Sequence, residues 1–327
     1  FSESGMPGAF VLPSSLSGLR VHLVGIKGTG MTALAEVLSA RGARISGSDT
    51  GETFYTDAIL ERLGVAYVEK FDAANLPADA ALVVHSAAYR ADENPELLAA
   101  AAAGVPVVTY PQALGLISGG CDASGVSGVH GKSTTTALCG AILKEWGLPA
   151  TVLVGTEVPG FGGRSTLVQG ERYLVAETCE YRRHFLNFHA ERILVTSVEP
   201  DHLDYFKDLE DILDAFETYG RSLPHRGSVV FCADDAGASE AARRIGRRRD
   251  DLVLRALLIF LFAGAAVAAG TLLQPAELGL LEEPLAKAIS RAAFVSVGLD
   301  HVDADFGSSV SFSTNRLTVS TGRILPA

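Results

Sequence analysis

Short apolar runs alternate with helical patterns through the first part of the chain. The apolar runs predict β-strands at residues 21–24, 43–46, 81–84 and 105–108. Apolar residues recur at a helical period in the segments 31–38 and 97–103, which fall between these strands. Strands that are apolar on both faces and alternate with helices are typical of a parallel sheet covered by helices on both sides.

The same alternation resumes in the second part of the chain, after residues 111–120, where the periodicity lapses. There the pattern predicts strands at residues 173–176, 193–196 and 228–232. Helical patterns at 137–146 and 209–219 accompany them. The fold class is therefore predicted to be α/β.

The lapse in periodicity predicts a boundary between two domains. We predict a Rossmann-like domain over residues 19–115 and a second α/β domain over residues 116–327, sizes that are ordinary for such domains. Residues 1–18 have neither the basic start nor the long apolar stretch of a signal peptide. We expect them to be a leader or a cloning remnant.

A glycine-rich turn joins the first predicted strand to the first predicted helix. Residues 25–30 read Gly-Ile-Lys-Gly-Thr-Gly, and Asp49 follows Gly25 by 24 positions. Such a βαβ unit opens many nucleotide-binding sheets, and an acidic residue at this distance suits a ribose hydroxyl. Because Lys27 stands where the dinucleotide fingerprint has its middle glycine, the spacing leaves open NAD, another nucleotide ligand, or an Asp49 that only ends a strand.

A second glycine-rich loop, residues 127–136, reads Ser-Gly-Val-His-Gly-Lys-Ser-Thr-Thr-Thr. It precedes the helical pattern 137–146, and backbone N–H groups at a helix N-terminus favour a phosphate. Lys132 supplies a positive charge, and the Ser133 hydroxyl is placed to hold Mg²⁺. Val126 departs from the general P-loop, which has a glycine there. A loop that only caps a helix is the alternative, but such a cap needs neither Lys132 nor the glycines.

Polar residues follow the predicted strands of the second domain. Glu177 ends the first of these strands, and Asp201, His202 and Asp204 come shortly after the next. Ligands of open α/β sheets bind at the carboxyl ends of the strands, which makes these residues candidates for a metal or substrate site. For Asp201 and Asp204 we favour a role at the start of the helix 209–219.

The composition restricts the function further. The formal net charge is −11, which argues against a nucleic-acid-binding surface. The 4 cysteines have no C-x-x-C spacing, so we expect reduced thiols in a cytoplasmic protein.

These motifs together resemble the Mur ligase family. Gly-Val-His-Gly-Lys-Ser is close to the ATP loop of that family, and Gly-Ile-Lys-Gly-Thr-Gly-Met, Gly-Ser-Asp, Ser-Ala and Asn-Pro-Glu resemble its N-terminal domain. The resemblance implies an ATP site formed by Gly128, Val129, His130, Gly131, Lys132, Ser133 and Thr134. It also implies a UDP-sugar site without nicotinamide, formed by Gly25, Lys27, Gly28, Thr29, Gly30, Asp49 and Ser86.

The resemblance also implies metal ligands and catalytic residues. The implied metal ligands are Ser133, Glu177 and His202, and the implied catalytic residues are Lys132, Glu177 and His202. Mg²⁺ prefers oxygen ligands, so chemistry alone favours a capping or core role for His202.

The segment 177–186 resembles one branch of the enzymes of this family that add L-alanine. Within it, Arg182 and Arg183 face either a substrate anion or a surface ion pair. Asn-Pro-Glu at 94–96 is expected to cap the helix 97–103 rather than to contact a ligand.

The resemblance implies a cytoplasmic enzyme of peptidoglycan precursor synthesis that uses ATP and Mg²⁺. It would join L-alanine to UDP-N-acetylmuramate through an acyl phosphate. The alternatives are a related ligase that adds a peptide to the same sugar, and a truncated, non-catalytic module that binds a UDP-sugar or a nucleotide.

The resemblance weakens after about residue 237. Residues 252–273 are almost continuously apolar and follow a run of arginines, a pattern that a transmembrane helix shares. Later segments again resemble the family, so we favour a buried or irregular helix, an insertion or a reading-frame error for the atypical segment 250–292. The adenine-binding His-Asn-x-x-Asn segment and the third domain of the family are absent, so the chain is expected to match the first two domains.

Overall fold

The computed structural model describes residues 10–13, 15–225, 227–248, 253–257, 312–313 and 316–317. The strands of the N-terminal sheet are β1 (Arg20–Val24), β2 (Arg44–Ser48), β3 (Ala66–Val68), β4 (Leu82–His85) and β5 (Val107–Thr109). They lie in the order β3-β2-β1-β4-β5, all parallel. The helices here are α1 (Thr29–Ala40), α2 (Asp57–Leu63), α3 (Pro95–Ala102) and α4 (Tyr110–Ser118). The predicted parallel α/β architecture is confirmed.

The second sheet follows α4 and is larger. Its strands are β6 (Asp122–Ser127), β7 (Ala150–Val158), β8 (Arg164–Val168), β9 (Tyr173–Glu177), β10 (Arg192–Val195), β11 (Ser228–Cys232) and β12 (Val253–Leu257). They lie in the order β12-β11-β10-β6-β9-β7-β8, parallel except for β8, which is antiparallel to β7. The helices here are α5 (Lys132–Glu145), α6 (Leu209–Arg221) and α7 (Ala236–Arg248). A separate antiparallel pair joins β13 (Phe312–Ser313) to β14 (Arg316–Leu317).

The apolar runs form the cores of both sheets. Val21 and Leu23 of β1, and Ile193 of β10, are 0% exposed. Helices cover both faces of such central strands, so each buried valine or leucine contributes roughly 1.5–3 kcal/mol. The short edge strand β3 was not predicted, because the central residue of its three is only half-buried and the flanking two are exposed.

Helix α4 connects the two sheets, in the region where we predicted that the apolar periodicity lapses. The predicted lapse is wrong: a capping box between Thr109 and Gln112 starts the helix, and Ala113, Leu114 and Ile117 recur at helical spacing and are buried. Gly115 lets α4 pack closely, since a Cβ there would stand 2.2 Å from the carbonyl oxygen of Asn187. The domain limits 19–115 and 116–327 stay a prediction.

A buried carboxylate also joins the two sheets. Glu36 of α1 is 3% exposed and accepts hydrogen bonds from Thr166 and, at 3.4 Å, from Arg164, both on β8. These contacts attach the helix after the first glycine turn to the second sheet.

Two helical predictions are corrected. Residues 253–257 form β12, parallel to β11, so this part of the apolar segment is a strand; the other residues of 250–292 lie outside the described part of the chain. The cap of α6 is Asp208, which accepts from the backbone of Asp211 at 2.9 Å, and neither Asp201 nor Asp204 starts that helix. Among the described helices, none combines the length and apolar character needed to cross a bilayer.

Asn94 caps α3 as predicted, and Glu96 beside it forms a buried network. Asn94 accepts from the backbone N–H of Glu96 at 3.0 Å. Glu96, which is 0% exposed, accepts from His22 Nε2 at 2.9 Å, from Ser48 at 2.5 Å and from Asn75 at 2.7 Å. This network joins α3 to β1 and β2.

The same hydrogen bonds set the protonation of Glu96. Burial raises the pKa of the Glu96 carboxyl, but the hydrogen bonds from His22, Ser48 and Asn75 outweigh it and hold that pKa below its ordinary value. A depressed folded-state pKa gives stability that is present above the unfolded pKa of about 4.3 and is lost as the pH falls through the folded value.

We predict that Glu96→Gln lowers the free energy of unfolding by about 1–3 kcal/mol at pH 7, because an amide cannot accept all of these bonds. Urea titrations of both proteins at pH 7 and below pH 4 measure this. The difference should shrink at the lower pH. An equal difference at both pH values would contradict the assigned protonation.

Candidate active site

The second glycine loop has the geometry of a phosphate-binding loop. Gly128 and Gly131 adopt φ values of +130° and +82°, which favour glycine, and α5 begins directly after them at Lys132. A Cβ on Gly128 would stand 2.3 Å from the Thr196 hydroxyl oxygen. Only glycine lets the loop approach β10 this closely.

Residues after β10 fix the shape of this loop. The N–H of Val129 donates to the Ser197 carbonyl at 3.0 Å, and the N–H of His130 donates to the Ser197 hydroxyl at 2.9 Å. The Thr196 hydroxyl donates to the His130 carbonyl at 2.6 Å. Val129 and His130, both predicted ATP-binding residues, therefore direct these N–H groups toward the protein.

The first turn of α5 offers the groups that a phosphate needs. The first intrahelical bond of this helix runs from Thr135 to Gly131, so the N–H groups of Lys132, Ser133 and Thr134 have no acceptor within the helix. The helix dipole adds partial positive charge at the same place. This end of the helix can bind an anion.

Lys132 lies within the loop. Its ammonium donates to the carbonyl oxygen of Gly128 and, at 3.2 Å, to that of Val129. The Glu180 carboxylate stands 3.5 Å from the same ammonium and is 1% exposed. Glu180 was not predicted as a site residue, although it follows Glu177 by only three positions.

Ser133 and Glu177 meet at the edge of the second sheet. The Ser133 hydroxyl donates to Glu177 Oε1 at 2.5 Å. Glu177 is the last residue of β9, and a Cβ on the adjacent Gly155 would stand 2.0 Å from its Oε2. Two oxygen donors this close suit a hard divalent cation. Gly155, which the sequence did not indicate, leaves the space that the carboxylate occupies.

His202 lies in a second cluster of candidate metal ligands. Ligand atoms of Glu180, Asp201 and His202 all lie within 4.8 Å of one another. His202 adopts φ +51°, a strained conformation that is concentrated at functional sites. Asp201 accepts from the backbone of His202 at 2.7 Å, which explains why it sits here instead of starting α6.

Arg182 and Arg183 share that strain, with φ values of +50° and +58°. Arg183 pairs with Asp211 at 2.6 Å, and Arg182 lies over the ring of Tyr181. Of the two alternatives, a substrate anion or a surface ion pair, the structure supports the ion pair for Arg183.

The first glycine turn, residues 25–30, lies at the N-terminus of α1. Two tyrosine rings approach this turn. A Cβ added to Gly25 would stand 2.6 Å from the ring of Tyr89, and a Cβ added to Gly30 would stand 2.9 Å from the ring of Tyr110. Gly28 precedes α1 and gives no side-chain cap, and the Thr29 hydroxyl accepts from Tyr55 at 2.9 Å.

Ser86 and Asp49 lie beside this turn, at the ends of β4 and β2. A Cβ added to Gly25 would stand 2.9 Å from the Cβ of Ser86. Asp49 is 4% exposed, and it accepts from the N–H of Lys27 at 2.7 Å and from Tyr89 at 3.0 Å. The carboxylate therefore holds the turn in shape.

The side chain of Lys27 has partners of its own. Its ammonium donates to the Glu69 carboxylate at 2.6 Å and to the Glu52 carbonyl at 2.8 Å. Burial lowers the pKa of Lys27, but the bond to Glu69 and the charge of Asp57 outweigh it and raise that pKa. Contact between this ammonium and a substrate would require these bonds to break.

This chain is similar to ligases of known name. The chain is 50% identical over 242 residues to a UDP-N-acetylmuramate–L-alanine ligase of Treponema pallidum, an alignment that covers 74% of this chain and 50% of the relative. It is 45% identical over 218 residues to the ligase of the same name from Desulfitobacterium hafniense, covering 66% of this chain and 48% of the relative. The chain thus spans about half the length of these relatives.

Solved structures give the same picture. The UDP-N-acetylmuramate–alanine ligase of Thermotoga maritima matches with a TM-score of 0.60 and 28% identity, covering 73% of this chain and 53% of that one. A UDP-N-acetylmuramate:L-alanyl-γ-D-glutamyl-meso-diaminopimelate ligase from Neisseria matches with a TM-score of 0.63 and 25% identity, covering 73% and 78%.

Two family models match most of the described sequence. The model described as "Mur ligase family, catalytic domain" matches residues 20–120, and the one described as "Mur ligase middle domain" matches residues 126–254. Together they cover more than half of the chain, in the order in which the two sheets follow each other. With both the sheet topology and the two glycine loops in agreement, the chain belongs to the Mur ligase family.

Proposed function

We propose that this chain carries the substrate and ATP sites of a ligase that joins L-alanine to UDP-N-acetylmuramate. The observation that carries the proposal is the group Lys132, Ser133 and Glu177 at the N-terminus of α5, with the Ser133 hydroxyl 2.5 Å from Glu177. A pure binding module would not need a complete set for phosphoryl transfer. The reaction takes place in the cytoplasm, in keeping with four free thiols.

The two glycine loops bind different phosphates. The N–H groups at the start of α5 bind the phosphates of ATP, and Lys132 offsets the charge of the phosphoryl group that is transferred. The turn at residues 25–30 binds the diphosphate of the UDP-sugar at the N-terminus of α1. Each helix thus contributes its positive end to one substrate.

Mg²⁺ fits the donors at this site. The oxygens of Ser133 and Glu177 are the ligand type that this cation prefers, and Glu180, Asp201 and His202 form a second candidate site with two carboxylates and one imidazole. When bound, Mg²⁺ neutralises charge on phosphate oxygens. We propose Ser133 and Glu177 as its ligands, with His202 at the second site.

The bonds change in two steps. A carboxylate oxygen of the substrate attacks the γ-phosphorus of ATP, and ADP leaves, giving an acyl phosphate. The amine of L-alanine then attacks the acyl carbon, and phosphate leaves as the amide forms and the amine loses a proton. The residues of this chain hold and orient the reactants and form no covalent bond to them.

A peptide in place of L-alanine is the second candidate substrate. It is favoured by the likeness to the Neisseria ligase, whose name specifies a tripeptide and of which this chain covers 78%. L-Alanine is preferred because the relatives that are 45–50% identical to the chain carry that name.

We predict that phosphate release by this chain requires Mg-ATP, UDP-N-acetylmuramate and L-alanine together, and that Lys132→Ala lowers it at least about 100-fold, since a charge on the transferring group is lost. A coupled phosphate assay with each substrate omitted in turn measures this. Release with the tripeptide and not with L-alanine would support the second candidate.

Nucleotide binding separates an incomplete enzyme from a wrong assignment. If no phosphate is released but Mg-ATP and UDP-N-acetylmuramate still bind, the chain is the substrate-holding part of a ligase. If neither binds, the proposal is contradicted.

We predict that Gly155→Ala weakens Mg-ATP binding at least about tenfold while the protein still folds. The added methyl group would displace the Glu177 carboxylate, whose Oε2 lies 2.0 Å from the Cβ position, and a flexible side chain can move at little cost. Gly160→Ala is the matched control, because a Cβ there meets no atom within 4 Å. Calorimetric titration of both variants, with circular dichroism as a folding check, measures this; equal affinities would show that Glu177 is not needed.

A further inference from the structure

Tyr110, the first residue of α4, lies between the first glycine turn and Glu177. A Cβ on Gly30 would stand 2.9 Å from Cζ of Tyr110, the carbon that bears the hydroxyl. On its other side, Tyr110 shares a cavity with Glu177 of the second sheet. One side chain therefore contacts the turn assigned to the UDP-sugar and borders the carboxylate assigned to Mg-ATP.

The hydroxyl of Tyr110 differs from those of its neighbours. Tyr89 donates to Asp49 at 3.0 Å and Tyr55 donates to Thr29 at 2.9 Å, but Tyr110 has no hydrogen-bond partner within the described part of the chain. A tyrosine hydroxyl is a neutral phenol at pH 7 and can act as a donor.

The side chain of Tyr110 is half-buried, so its hydroxyl is open to an acceptor on a ligand. The cavity beside Tyr110 has a volume of about 70 Å³, several times the ~10–15 Å³ that one water molecule needs. It is too small for a nucleotide but has room for a small acidic group. The residues around it include Glu177, Cys179, His184 and Phe185.

The proposed function requires one substrate to span this place. Its diphosphate lies on the turn at residues 25–30, and its carboxylate must reach the γ-phosphate near Ser133. The substrate carboxylate carries the same negative charge as Glu177, and the two repel each other. A neutral hydrogen-bond donor beside the substrate carboxylate favours its approach, because it adds no further negative charge.

We infer that Tyr110 is a specificity-determining residue whose hydroxyl donates a hydrogen bond to the acidic lactyl arm of the sugar. The inference rests on the proposed function and assigns this residue a part in it. The arm is the group by which N-acetylmuramate differs from N-acetylglucosamine. Tyr110 therefore discriminates between the two UDP-sugars and leaves the binding of UDP unchanged.

The test is calorimetric titration of the full chain with UDP, UDP-N-acetylglucosamine and UDP-N-acetylmuramate. Tyr110→Phe keeps the ring against Gly30 and removes only the hydroxyl. We expect the preference for the muramate sugar over the glucosamine sugar to fall about tenfold or more, because a hydrogen bond to a charged group is lost. Tyr173→Phe is the control and should keep the wild-type preference, because Tyr173 begins β9 at the opposite end of the strand from Glu177.

The other outcomes separate the possible failures. An unchanged preference in Tyr110→Phe overturns the inference, as does an equal loss of affinity for all three ligands, which would indicate a packing role alone. If the wild-type chain binds none of the three, the proposed function is contradicted and the inference with it.

Discussion

The close approach between the glycine loop and the end of β10 is the constraint on which the site depends. Gly128 has no room for a side chain against Thr196, and the Thr196 and Ser197 hydroxyls bond the backbone of His130. This contact fixes where α5 begins, and so where its free N–H groups point. Because β6, β9 and β10 are adjacent and parallel, Ser133, Glu177 and His202 come to the same edge of the sheet.

A second constraint fixes the position of the first glycine turn relative to the second glycine loop. Glu36 of α1 bonds Thr166 and Arg164 of β8, and Gly115 of α4 packs against the backbone of Asn187. Both contacts cross from one sheet to the other and start from helices that border the first glycine turn. Under the proposed function, a substrate that reaches from one loop to the other would meet a spacing that is fixed before it binds, which would lower the entropic cost of bringing its carboxylate to ATP.

The sequence predicted those parts that local chemistry determines. Apolar runs and glycine loops located the central strands and both helix N-termini, and Asn94 was recognised as a cap because its partners are two and three residues away. Contacts between distant residues were not predictable. The partner of Lys27 is Glu69, 42 residues later, and the cap of α6 was assigned to the wrong aspartates because several candidates precede that helix. Glu180, Gly155 and Tyr110 gained their importance only from the way the strands and α4 are placed.

The central claim is that the loop at residues 127–136 binds Mg-ATP, with Ser133 and Glu177 as metal ligands. Anomalous diffraction from crystals of the chain grown with Mn²⁺ and a non-hydrolysable ATP analogue tests it most directly. The account predicts a manganese peak bound by both the Ser133 hydroxyl and the Glu177 carboxylate, at about 2.1 Å as for Mg²⁺, with the triphosphate along the first turn of α5. A nucleotide bound only at the turn of residues 25–30, or manganese bound without Ser133 and Glu177, would contradict it.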